Sequence, residues 1–80
     1  MAQILEQKTQ GDASGNVVTF QKVIAEIEIF NSSNQTGIFT VNGFAITVPA
    51  GAGYRSRLRG DMQPTVTISG ATSYEIRRLG

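Results

Sequence analysis

Apolar and polar residues alternate on both sides of Asn42-Gly43, from Gly37 to Gly51. Asn-Gly between two such runs is the strongest short-range hairpin signal, because a type I′ turn needs positive φ at both central residues. A two-residue loop fixes the register and predicts three facing pairs: Val41 with Phe44, Phe39 with Ile46, and Gly37 with Val48. Side chains on one face should be buried together beneath an exposed Asn42-Gly43 tip, namely Phe39, Val41, Phe44, Ile46 and Val48.

The second strand of this hairpin is predicted to end at Pro49, which cannot donate a ladder hydrogen bond. Pro49-Ala-Gly51 suits a type I turn, with Pro at the second position and Gly at the fourth.

Alternation elsewhere predicts further short strands, over residues 17–20, 23–30, 54–59, 65–69 and 73–79. In the longest of these, Val23, Ala25, Ile27 and Ile29 are expected to face the core. Residues 10–16 are predicted to form a loop from their composition. No segment favours a long helix. We therefore expect residues 1–80 to form a single all-β domain, a compact antiparallel β-sandwich or small barrel of about six to eight short strands, with a jelly-roll-like arrangement among the alternatives.

The first ten residues carry few core-type side chains, with Ile4 and Leu5 as the bulky apolar pair. They are predicted to form an edge strand, or an arm that leaves the domain and contacts a neighbouring subunit. A short helix is the alternative, because Ala, Gln, Leu, Glu and Lys favour helices.

Composition narrows the function classes. The chain has 80 residues, no Cys and no His. Disulfides and thiolate metal sites are therefore excluded, and the commonest general base is missing. A chain this short buries only about 60% of its unfolded surface. We expect its added stability to come from a partner, as in a homo-oligomer or other assembly component, with no cofactor and no catalytic residues.

The net charge of +1 makes nucleic acid an unfavoured partner for the whole chain. Residues 51–80 nevertheless carry five Arg against two acids, whereas residues 1–50 carry two Lys against four acids. No apolar run has membrane-spanning length, and the first residues lack a signal-peptide layout. We expect a protein made and folded in a cytoplasm, with no membrane partner.

Arg55, Arg57 and Arg59 are predicted to lie on one strand face, roughly 7 Å from one to the next. We call these three residues the Arg stripe. One interpretation is a basic surface that binds a partner through acidic groups or phosphates. The other is a solvated edge strand whose charges prevent sheet-to-sheet aggregation.

Glu26 and Glu28 form a carboxylate pair on another predicted strand. Two carboxylates about 5–9 Å apart across a cleft are the requirement of a glycosidase. The alternative is that the pair lies on a solvated face or forms salt bridges with the Arg stripe. A small hydrolase therefore requires a concave pocket that contains both residues.

The run Phe39-Thr-Val-Asn-Gly-Phe-Ala-Ile-Thr-Val-Pro-Ala-Gly51, followed by Thr65-Val-Thr-Ile-Ser-Gly70 and Ser73-Tyr74, resembles small structural proteins of tailed bacteriophages. In those proteins a strand, a turn and a second strand often lead into Pro-Ala-Gly, a loop and Val-Thr-Ile-x-Gly. The resemblance covers about residues 36–80.

The resemblance implies a virion protein, made in the cytoplasm of a host bacterium, without catalytic residues. Its most specific form is a capsid decoration, or cement, protein that binds the major capsid protein and stabilises the head shell. A small tail or head–tail component, bound to another virion protein, is the alternative within the same class. A carbohydrate- or nucleic-acid-binding module is the alternative from another class, and exposed aromatic side chains beside the Arg stripe would favour it.

Overall fold

A computed structural model of the protein describes residues 3–11 and 16–80. In these residues the chain forms strands and no helix, which confirms the all-β prediction. The strands are β1 (Ile4–Lys8), β2 (Val17–Thr19), β3 (Glu26–Phe30), β4 (Gly37–Val41), β5 (Phe44–Val48), β6 (Gly53–Arg57), β7 (Thr65–Ser69) and β8 (Glu75–Leu79). The predicted loop over residues 10–16 lies largely outside the described residues.

The strands form two antiparallel sheets that pack as a sandwich. Sheet A has the order β1-β8-β3-β6 and sheet B has the order β2-β7-β4-β5. The first strand therefore pairs with the eighth, the second with the seventh, the third with the sixth and the fourth with the fifth. This is one long hairpin, folded at Asn42-Gly43 and rolled into two sheets, which is the strand order of a jelly roll.

The central hairpin has the predicted register. Val41 faces Phe44, Phe39 faces Ile46 and Gly37 faces Val48. Asn42 has a φ of 52° and Gly43 a φ of 79°, as a type I′ turn requires.

Two predictions about side chains of this hairpin are wrong. Phe44 is 50% exposed, because it begins β5 at the end of the sandwich, where one side of the ring remains in water. Asn42 is only 6% exposed, because neighbouring loops cover its side chain. Phe39 is fully buried, so the register itself stands.

The turn after β5 is displaced by one residue from its predicted position. The amide of Ala52 donates to the carbonyl of Pro49 at 3.0 Å, so Pro49 is the first residue of the turn. Gly51 occupies the third position with a φ of 73°. Positive φ at that position is the mark of a type II turn, which explains the glycine better than the predicted type I turn does.

The predicted strand over residues 23–30 is shorter than expected. Only Glu26–Phe30 pairs as β3, and the alternation fails before it. Val23 is 49% exposed whereas Ile24 is fully buried. Ile24 leaves the strand pattern because its amide donates to the carbonyl of Gln63 at 3.0 Å, in a loop-to-loop contact.

The core lies between the inner faces of the two sheets. Phe39 is its largest fully buried side chain. Around it lie buried residues from both sheets and from the segments beside them, including Val18, Ile24, Ile27, Ile29, Val66, Ile68 and Ile76. The strands predicted over residues 65–69 and 73–79 direct Val66, Ile68, Tyr74 and Ile76 inward, as expected.

β1 is an edge strand of sheet A, paired with β8 and interrupted by one irregularity between Ile4 and Glu6. Glu6 faces Arg78 across the ladder, with a Nε–Oε1 distance of 3.3 Å. Both side chains are largely covered, at 14% and 13% exposure. Both carboxylate oxygens of Glu6 also accept from the amide of Gln21, just beyond β2, so this residue connects the two sheets.

Candidate partner-binding surface

The outer face of sheet A, which points away from the core, places two members of the Arg stripe beside an acid. Arg55 and Arg57 lie on β6, and both bond Glu26 of the neighbouring β3. The Arg55 Nη2–Glu26 Oε2 distance is 3.2 Å and the Arg57 Nε–Glu26 Oε1 distance is 3.3 Å. One carboxylate therefore offsets part of the charge of two guanidinium groups.

The same face carries a second set of ion pairs on β8. Arg77 Nη1 lies 2.9 Å from Glu28 Oε1, and Arg77 Nη2 lies 3.3 Å from Glu75 Oε2. Its Nε donates to Gln7 Oε1 of β1 at 3.2 Å. The alternating charges thus run from strand to strand across sheet A.

Arg55 and Arg57 of the Arg stripe thus have a compensating acid, Glu26. The acid comes from the adjacent strand rather than from β6 itself. Arg59 is separate, because β6 ends at Arg57. Arg59 is exposed and forms no ion pair with any described residue. The interpretation of Glu26 and Glu28 as salt-bridge partners therefore describes both residues, although Glu28 pairs with Arg77 rather than with the stripe.

A shallow cavity of about 470 Å³ lies on this outer face. Its lining includes Phe30, Tyr54, Glu28 and Glu75 but not Glu26. The two carboxylates of the hydrolase interpretation therefore do not line this cavity together. Both carboxylates that do line it are bonded to the same Arg77 side chain.

A second concave surface lies between the last strands of the two sheets. β5 ends sheet B and β6 ends sheet A, and a groove of about 350 Å³ separates them. We call it the β5–β6 groove. Phe44 and Tyr54 line it together with Arg57 and Arg59. The aromatic side chains are 50% and 38% exposed, so apolar and cationic groups share one open surface.

The end of the sandwich next to this groove is organised by Asn42. Its Nδ2 donates to the carbonyl of Ile24 at 3.1 Å, and its Oδ1 accepts from the amide of Gln63 at 2.6 Å. Two loops are thereby fixed against the hairpin turn. The segments that meet there carry three exposed apolar side chains, which we call the hairpin-end cluster: Val23 at 49%, Phe44 at 50% and Met62 at 45%.

The outer face of sheet B differs in character from that of sheet A. Its residues are hydroxyl-bearing or apolar, and the described strands place no charged side chain on it. Thr40 faces Thr67 across β4 and β7, and Ile38 faces Ser69. Ile38 is the exposed large apolar side chain of this face, at 43%.

Comparison with known proteins finds no matching family model, no significantly similar curated protein and no significantly similar solved structure. Within residues 3–11 and 16–80 there is no group of three or more His, Cys, Asp and Glu residues placed to hold a metal ion. The same residues include no helix long and apolar enough to cross a membrane.

Sequence reasoning found the Arg stripe but missed the groove beside it. The groove depends on β5 and β6 ending different sheets while lying side by side, and alternation within a single strand gives no sign of that. The available signal was the position of Phe44 and Tyr54 as the first residues of predicted strands, where side chains are least completely buried.

Proposed function

We propose that this protein is a non-enzymatic structural component of a tailed-bacteriophage particle, and specifically a capsid decoration protein that binds the head shell and stabilises it. The single observation that carries a partner-binding role is the hairpin-end cluster with the adjoining groove. Four of the eight large apolar side chains that are exposed among the described residues belong to these two surfaces, namely Val23, Phe44, Tyr54 and Met62. The segments that carry Val23 and Met62 are bonded to Asn42 of the hairpin turn, so these apolar side chains lie at one end of the sandwich, and an exposed apolar patch marks an interaction site.

The phage assignment is supported by the residue resemblance over about 36–80. The jelly-roll strand order agrees with it, since this architecture occurs among viral capsid proteins as well as lectins and cupins. A fold carries many functions, so the strand order supports the class of protein by analogy alone.

The test uses particles of the phage that encodes the chain, purified with and without its gene. We expect the chain in the particle in many copies. Particles that lack it should release DNA at a lower temperature, and addition of purified protein should restore their heat tolerance. A chain that is absent from particles, with unchanged heat tolerance after gene deletion, would contradict the proposal.

A matched pair of variants locates the contact. Phe44→Ser changes the hairpin-end cluster, whereas Ile38→Ser changes a similarly exposed apolar residue on the outer face of sheet B. If the hairpin end binds the shell, only Phe44→Ser should reduce restoration. The reverse result would move the contact to sheet B.

A second candidate is a carbohydrate- or nucleic-acid-binding module. The observation that favours it is the presence of Phe44 and Tyr54 in one groove with Arg57 and Arg59, since aromatic rings stack on sugars and bases while Arg binds phosphate. Titration of the protein with a single-stranded oligonucleotide and with a panel of oligosaccharides tests this candidate. Saturable binding that is lost in Tyr54→Ala would support a carbohydrate- or nucleic-acid-binding module over a capsid decoration protein.

A further inference from the structure

The β5–β6 groove lies between two open strand edges. β5 pairs with β4 alone and β6 pairs with β3 alone. Each strand therefore has one side whose backbone groups bond no other strand. An open edge of this kind is a template for an additional strand.

The hydrogen-bond pattern identifies the open groups on β5. In a two-residue hairpin the residues beside the turn exchange backbone bonds, and bonded pairs then alternate along the ladder. Val41 with Phe44 and Phe39 with Ile46 are thus bonded pairs. The backbone N–H and C=O groups of Ala45 and Thr47 consequently point away from β4.

The pattern on β6 follows from the bonds at its two ends. The amide of Leu58 donates to Ala25 and the carbonyl of Ala52 accepts from Asn31, both on the side of β3. By alternation, the open backbone groups belong to Gly53, Arg55 and Arg57. Backbone donors and acceptors that bond no other strand therefore border the groove along both strands, and among them the carbonyl of Arg57 accepts from the Ser56 hydroxyl at 3.0 Å.

β5 lacks the features that usually protect an edge strand. β6 carries two Arg side chains, β1 has an irregularity in its ladder and β2 has only three residues. β5 reads Phe-Ala-Ile-Thr-Val, with neither charge nor Pro, and its register with β4 is regular. Exposed, regular and uncharged edges readily pair with another strand.

The charge of the groove indicates which kind of partner segment could pair with β5. None of the described side chains that line it is acidic, and two are Arg. Arg57 is 88% exposed and bonds Glu26 through Nε, which leaves its terminal nitrogens directed to solvent. Arg59 has no described ion-pair partner. A second copy of this chain that paired through the same groove would bring no acidic side chain from it to the two cations, so charge complementarity favours an acidic partner over self-pairing.

We propose that β5 binds an extended, acidic segment of a partner protein as an additional strand of sheet B, with Arg57 and Arg59 binding its carboxylates and with Phe44 and Tyr54 contacting its apolar side chains. The inference rests on the proposed function only in taking the segment to come from the head shell. A nucleic acid would use the cations and the aromatic rings but not the backbone edge of β5.

The first experiment uses the purified protein and a short peptide of alternating Glu and Val residues, long enough to cover β5. Backbone amide NMR shifts should change at Ala45 and Thr47 and saturate with peptide. The same peptide with Lys in place of Glu should cause no saturable change. No saturable shift with the Glu peptide, equal binding of the two peptides, or shifts confined to another surface would overturn the proposal.

Variants separate the contribution of backbone hydrogen bonds to peptide binding from the contribution of the Arg charges. Thr47→Pro removes an outward N–H that the β4 ladder does not use, and Pro is tolerated at such edge positions. It should abolish binding, whereas the control Thr47→Ser should bind as the parent does. Arg57→Gln combined with Arg59→Gln should weaken binding on the order of tenfold or more, since charge-assisted bonds are lost. The double Arg variant leaves the backbone unchanged, so it tests the binding of the acidic peptide even if Thr47→Pro does not fold.

Further measurements distinguish the occupants and separate this inference from the proposed function. A concentration-dependent dimer that Thr47→Pro abolishes would assign the edge to a second copy, and tighter binding of an oligonucleotide than of the Glu peptide would assign the groove to nucleic acid. Either result overturns the inference. If the chain stabilises particles and Thr47→Pro restores heat tolerance as well as Thr47→Ser does, the inference fails and the proposed function stands. If the chain is absent from particles but binds the peptide at β5, the proposed function fails and the inference about β5 stands.

Discussion

The ring of Tyr74 meets the ring of Phe39 edge to face, with centroids 6.0 Å apart and ring planes at 84°. Phe39 belongs to β4 in sheet B, and Tyr74 immediately precedes β8 in sheet A. The contact therefore joins the two sheets at the largest fully buried side chain. Aromatic pairs in this geometry contribute about 0.5–1.5 kcal/mol beyond the area that they bury.

Phe39→Ala should destabilise the protein by about 3–5 kcal/mol, because it leaves a cavity and removes the contact with Tyr74. The matched control is Phe44→Ala, which should cost about 1 kcal/mol or less because that ring is half exposed. Urea unfolding followed by circular dichroism measures both changes. Equal losses in the two variants would show that Phe44 belongs to the core.

Asn42→Gly should cost about 2–4 kcal/mol. Glycine keeps the positive φ of the turn, so the loss comes from the side chain alone. The carbonyl of Ile24 loses a buried bond and the amide of Gln63 a partly buried one, and a buried group left unsatisfied costs about 1–3 kcal/mol. Asn34→Gly in the exposed loop before β4 is the control. Faster hydrogen exchange at the Gln63 amide should accompany the loss, and an unchanged rate would argue against the bond.

Glu6→Ala should destabilise the fold by about 3–5 kcal/mol, because it leaves the covered guanidinium of Arg78 without its acid. Arg57→Ala is the control, since its pair with Glu26 is exposed and such pairs contribute about 0–1 kcal/mol. Chemical denaturation gives both values.

Deletion of residues 2–8 should likewise lower stability, although these residues have few core-type side chains. A deletion that leaves stability unchanged would show that β1 is a dispensable arm.

Changing Arg55, Arg57 and Arg59 together to Gln should weaken binding to the phage particle while moving the melting temperature little. The two ion pairs with Glu26 are exposed, whereas pairs that are desolvated in an interface can cost about 2–5 kcal/mol when one partner is removed. Higher salt should reproduce part of the loss. Co-sedimentation across a salt titration provides the measurement. Identical curves for the variant and the parent would leave the solvated edge as the explanation of the stripe.

The parts of the fold that follow from local sequence were predictable. The hairpin register needs only Asn42-Gly43 and the alternation around it, because a two-residue loop permits one pairing. Val66 and Ile68 follow from the same period-two pattern. These predictions depend on residues that are neighbours along the chain.

The other features of the fold and the site depend on strand pairings between distant parts of the chain, which the local sequence pattern does not predict. Glu26 offsets the charge of Arg55 and Arg57 because β3 pairs with β6, far along the chain. Ile24 is buried in place of Val23 because Gln63 holds its backbone outside any strand. The β5–β6 groove requires both sheet orders at once. Each of these features is set by tertiary contacts that override the local pattern.

The rolled hairpin also sets the order in which the chain can close. Each strand pair encloses all the pairs nearer the turn, so forming β4–β5 first shortens the loop that β3–β6 must close, and so on outward to β1–β8. Closing the outermost pair directly from the unfolded chain would carry the largest loop entropy for the first contact. Folding should therefore advance from Asn42-Gly43 toward both chain ends, at the slow rates typical of proteins dominated by non-local pairing. Opening should run in the opposite direction, with the β1–β8 ladder the first to lose protection from hydrogen exchange.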